Sequence, residues 1–80
     1  MRPLEAKILI FLEVTPARFH YATHMSDKLN VDYAYLLRTF NRLKLFKWII
    51  PVKRGHKVFY DLSVKGRREL PAAKLRLERG

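Results

Sequence analysis

Cysteine is absent from these 80 residues, which excludes disulfides and thiolate metal ligation. Glycine occurs only as Gly55, Gly66 and Gly80, too few and too scattered for a glycine-rich phosphate loop. No apolar run reaches the length of about 18 residues that a membrane span requires, and Ile8 to Leu12 is too short even for a signal-peptide core. The expectation is a soluble, cytoplasmic protein. Acids are scarce as well: 7 Asp and Glu face 17 Lys and Arg, a formal net charge of +10. That imbalance points to a polyanionic partner, nucleic acid before an anionic membrane surface.

What is present is a hydrophobic content of 49%, 12% of the chain being aromatic, which excludes a disordered chain. At this length one small domain fits, with a core from residue 4 to 70 and a tail from 71 to 80. Such a chain buries roughly 60 to 65% of its unfolded surface, so its core is modest.

The stretch from Leu29 to Ile49 organises the rest. Over residues 32 to 44 a helical reading stacks Leu36, Phe40 and Leu43 on one face and leaves Tyr35, Arg38, Asn41 and Arg42 on the other. Asp32 suits the N-cap, and Asn30 tolerates the left-handed backbone that ends a preceding helix. Upstream, Tyr21, Met25 and Leu29 recur every fourth residue, predicting a short helix from Tyr21 that lacks a good N-cap. Two helices joined by a tight turn make a helix-turn-helix, whose second helix lies in a DNA major groove.

Elsewhere, residues 2 to 14 predict a first helix, with Pro3 in its opening turn and Pro16 ending it. Its Ile8-Leu9-Ile10-Phe11-Leu12 run points nearly all round the axis, which requires a second buried face. Either later segments of the same chain cover that face or a homodimer does. Ala17 to Phe19 reads as a short edge strand. Trp48 to Val52 and Lys57 to Leu62 read as a β-hairpin around Lys53-Arg54-Gly55-His56, with Val58, Tyr60 and Leu62 on one face. Pro51 belongs on an unpaired edge or at a bulge. Ser63 caps a following helix, and Pro71 interrupts it or starts a new turn. Leu70, Ala73 and Leu77 share one face of the tail, which packs on the first helix, in the same chain or across a dimer, or frays. Residues 44 to 60 carry five Lys and Arg and no acid, whereas residues 1 to 15 are neutral.

The order helix, short strand, helix, turn, helix, hairpin, helix resembles the winged helix-turn-helix regulators, particularly the MarR-like and PadR-like groups, over residues 4 to 70. The resemblance is carried by Leu29-Asn30-Val31-Asp32, by Leu36, Arg38 and Leu43, by Trp48-Ile49 and by Tyr60-Asp61-Leu62-Ser63-Val64-Lys65-Gly66. Asn30 and Lys47 stand where that family has glycine. The implied fold is α+β: a three-helix core, a two- or three-stranded β-wing and a C-terminal helix. The implied function is sequence-specific double-stranded DNA binding in transcription regulation, with association to the nucleoid. The small size is similar to that of factors from archaea and their viruses and plasmids.

Major-groove readout needs side chains that reach base edges, so the candidate residues are Tyr33, Ala34, Tyr35, Arg38, Asn41 and Arg42. Arg38 is suited to a bidentate guanine contact, Ala34 and Tyr35 to a thymine methyl or a phosphate, and Arg42 to the backbone. Tyr33 is equally readable as partly buried core. Lys53, Arg54, His56 and Lys57 would form the wing contact. Trp48 reads as core, and Phe59 as core or as a base-stacking aromatic. His20 and His24 have metal-ligand spacing, but no cysteine or nearby carboxylate completes a set. Ser63 lacks a histidine partner, so neither an enzyme, a cofactor nor a small-molecule ligand is expected. The other readings are a non-specific nucleoid or RNA-binding protein and a winged-helix protein-interaction module; Arg38 and Arg42 argue against the latter.

Overall fold

A computed structural model describes residues 1–79. In chain order it contains helix α1 (Pro3–Val14), a 3₁₀ turn (Ala17–Phe19), α2 (Ala22–Leu29), α3 (Tyr33–Leu45), strands β1 (Ile49–Arg54) and β2 (Lys57–Leu62), α4 (Val64–Arg68) and α5 (Leu70–Glu78). The architecture is α+β, five helices and one two-stranded antiparallel sheet.

The helix boundaries follow from capping chemistry. Asp32 accepts from the Tyr35 N–H at 3.0 Å, and Ser63 Oγ accepts from the Gly66 N–H at 2.9 Å, each satisfying an amide that has no partner within its helix. Asn30 ends α2 with φ 54°, the left-handed conformation its short amide side chain tolerates. The end of α3 is closed by hydrogen bonds from Lys47 N–H to Lys44 O and from Trp48 N–H to Leu43 O, with Lys47 itself at φ 63°.

The core is built from α1, from one face each of α2, α3 and α5, and from the base of the hairpin. Ile8, Leu9 and Leu12 of α1 meet Leu36, Phe40 and Leu43 of α3, with Met25, Ile49, Tyr60 and Leu62 closing the sides. The second face of α1 is covered largely by α5 of the same chain, through Leu70, Ala73 and Leu77. Ile10 and Phe11 are only partly covered and, with Val14, Leu29 and Leu77, line a shallow apolar groove. Trp48 is half-buried against Phe46, their ring centres 4.8 Å apart.

The segment Ala17–Phe19 is not a strand. Pro16 sets the backbone for a tight turn in which Phe19 N–H donates to Pro16 O and His20 N–H to Ala17 O. A third strand is reduced to the single bridge Tyr21–Phe59. Val58 shares a face with Tyr60 and Leu62 but is exposed, because the hairpin projects past the core. Tyr60 N–H donates to His20 O, away from β1, so the Tyr60–Pro51 pair is not hydrogen-bonded and the proline nitrogen faces the open edge.

Candidate nucleic-acid interface

The hairpin is aimed by a buried histidine. His20 Nδ1 lies 3.0 Å from Tyr60 O and Nε2 lies 2.6 Å from Thr15 O, tying the end of α1 to β2. His24 stacks on Phe19 at 4.7 Å, so the two histidines do not turn toward a common ligand.

With the hairpin fixed in this way, its turn, the start of α2 and the start of α3 border one groove of about 460 Å³. Tyr33 and Leu37 form one wall, His56, Lys57 and Val58 the other, and Ala22 and Thr23 the end. No carboxylate lines it. Helix α2 has no side-chain cap, and the bridge between Tyr21 and Phe59 ties its start to β2. Tyr60 forms the floor; burial pushes its hydroxyl pKa upward, with a further contribution from Tyr33. The hydroxyl therefore remains a neutral donor through the physiological range.

The sequence-predicted residues divide as follows. Tyr33, Ala34, Tyr35, Arg38 and Asn41 are all exposed on α3, and the Arg38 guanidinium lies 5.9 Å from the Tyr35 ring centre. Tyr33 is 46% exposed, so it is a surface residue and not core. Arg42 differs: its Nε donates to Glu5 Oε2 at 2.9 Å and its guanidinium lies over Phe46 at 5.4 Å. It is engaged with α1 and is only partly exposed. On the hairpin, Lys53 shares its face with groove-lining Val58, and Gly55 takes φ 61° in the two-residue turn. Arg54 lines a separate pocket of about 200 Å³ with Arg18, Val52 and Asp61. His56 and Lys57 are therefore the hairpin residues brought to the groove, while Arg54 is not.

Six groove residues were not among those expected from sequence: Tyr21, Ala22, Thr23, Leu37, Val58 and Tyr60. Helical spacing assigns Tyr21 to the packing face with Met25 and Leu29, but it is the N-cap residue of α2 in extended conformation. From there its ring receives the Lys57 ammonium at 4.1 Å and meets Phe59 edge-on at 5.6 Å. Phe59 is thereby half-buried. The missing N-cap at this position was the one sequence signal that the helical period stops there.

Glu5 stands outside the groove but positions it. Desolvation alone would raise its carboxyl pKa; the Arg2 N–H, the Arg42 hydrogen bond and charge, and the N-terminal ammonium outweigh this and hold it below the usual carboxylate range. Among the described residues no three His, Asp or Glu side chains cluster as metal ligands, and no helix is long and apolar enough to cross a membrane. A scan of family models finds none that matches the chain, and a search of curated proteins finds no match.

Proposed function

We propose that the chain is a winged helix-turn-helix transcription regulator that binds double-stranded DNA in a sequence-specific manner. In this reading α3 enters the major groove, the β1–β2 hairpin is the wing, and the protein works in the cytoplasm on nucleoid DNA. The observation that carries it is the acid-free groove in which Tyr33 and Leu37 of α3, Ala22 and Thr23 of α2, and His56 and Lys57 of the hairpin converge. Phosphate oxygens are satisfied by lysine, and such contacts position a duplex against α3. Exposed Arg38 then reads guanine, with Tyr35 and Ala34 beside it for a thymine methyl. Arg42 is assigned to holding α3 on α1 ahead of contacting DNA.

Operators read by such proteins are bound by two subunits on two half-sites. The partly covered apolar strip of Ile10, Phe11, Val14, Leu29 and Leu77 supports a homodimer formed through α1 and α5.

Selection of bound duplexes from a random pool, followed by binding of variants, tests the proposal. An enriched motif with dyad symmetry is expected. Arg38→Ala is expected to flatten discrimination between selected and scrambled duplexes, and Lys53→Ala to weaken both alike. No enriched motif, or identical behaviour of the two variants, contradicts sequence-specific reading by α3.

A further inference from the structure

At the end of the hairpin away from its turn, three segments are fastened together. Ser63 Oγ donates to Lys47 O at 2.6 Å, Ser63 N–H donates to Trp48 O at 3.0 Å, and a β-carbon on Gly66 would collide with the same Trp48 carbonyl. The last turn of α3 and the first turn of α4 therefore adjoin. They carry Lys44, Lys47 and Lys65, and neither 44–48 nor 63–68 contains Asp or Glu. Among the described residues these three cations form no ion pair.

Two features mark this end as more than a solvated charged face. Leu45, 81% exposed, is the most exposed large hydrophobic side chain among the described residues, and Val64 is 69% exposed. They lie two residues before Lys47 and one after Ser63, on either side of the hydrogen bond that joins the segments. Lys47 also holds φ 63°, a conformation that glycine takes without steric cost. The chain thus keeps a cation where its backbone favours none.

This surface is separate from the groove. The strand register puts Arg54 and Lys57 at one end and Ile49 and Leu62 at the other, and strands of this length span roughly 17 to 20 Å. Helix α3 likewise starts at the groove with Tyr33 and finishes at the far end with Leu45.

We infer that this end of the molecule is a docking surface for an acidic protein segment that presents bulky apolar residues among its glutamates or aspartates. Charge complementarity selects the acids, and the two aliphatic side chains select the apolar residues. A second duplex would neutralise the cations but leave Leu45 and Val64 in water. The inference uses none of the groove residues, so it stands or falls apart from DNA binding.

Fluorescence anisotropy with the full chain tests it against three labelled probes. These are a synthetic peptide whose glutamates flank two leucines one helical turn apart, a companion of equal charge with serine for leucine, and a short DNA duplex. The leucine peptide is expected to bind, and the serine companion to bind at least about tenfold more weakly. Leu45→Ser with Val64→Ser, and separately Lys47→Glu with Lys65→Glu, should each weaken the leucine peptide by a similar factor. All four positions are exposed, and an unchanged thermal midpoint checks the fold. The Leu45 and Val64 substitutions should leave duplex affinity unchanged. Equal binding of the two peptides, indifference of the leucine peptide to either pair of substitutions, or an equal loss of duplex binding overturns the inference.

Discussion

The Nε of Arg42 lies 2.9 Å from Oε2 of Glu5, an ion pair whose acidic side chain is 2% exposed and whose basic side chain is 42% exposed. It fastens α3 to the first turn of α1, 37 residues away in sequence. The carboxylate needs its partners because an isolated buried charge is costly, whereas the guanidinium can turn to water.

Arg42→Ala should therefore cost stability. The half-exposed guanidinium screens the interaction, so the expected loss is about 1 to 3 kcal/mol in a denaturant titration. The sign of the pH dependence follows from the lowered Glu5 pKa. A group depressed on folding stabilises above its unfolded pKa, and that stability is lost as pH falls through the folded value. Acidification below the ordinary carboxylate range should lower the unfolding midpoint, and Glu5→Gln should flatten that part of the profile.

Gly66 backs directly onto the Trp48 carbonyl, with no room for a β-carbon. Gly66→Ala must push α4 away from the base of β1 or strain the backbone. A loss of roughly 2 kcal/mol or more is expected, accompanied by a shift of the Trp48 emission, since Trp48 is the only tryptophan.

Lys47 sits in the left-handed region, which costs a residue with a side chain about 1 to 2 kcal/mol. Lys47→Gly removes that cost but adds unfolded-state entropy, so a net gain of roughly 0.5 to 1 kcal/mol is expected. The same substitution should weaken the acidic leucine peptide. A variant that is more stable yet binds less well separates the two roles of this position.

Pro51 guards the open edge of β1, where its nitrogen faces outward without a hydrogen to donate. Ile50 and Val52 beside it are exposed. Pro51→Val would complete an edge able to pair with a second strand. Concentration-dependent association is expected in sedimentation velocity, beyond that of the natural chain.

Much of this was legible in the sequence because it rests on local chemistry. Asp32, Asn30 and Ser63 act within their own turns, and the spacing of Leu36, Phe40 and Leu43 repeats with the helix. Pro51 at an open edge follows from its missing donor. What was not legible depends on contacts across the chain. Arg42 reads as a contact to the DNA backbone until folding brings it against Glu5. Ala17 to Phe19 has no periodicity, so the hydrogen bonds back to Pro16 and Ala17 decide its form. Tyr21 left the helical pattern for Lys57 and Phe59, and Arg54 parted from Lys57 to line a different pocket, through packing that spacing does not encode.

The central claim, that the groove and the exposed side of α3 take double-stranded DNA, is tested most directly by duplex affinity across a range of salt concentrations. About five neutralised phosphates per subunit predict that log affinity falls against log salt with a slope of roughly −4 to −5. A slope near zero would contradict the account.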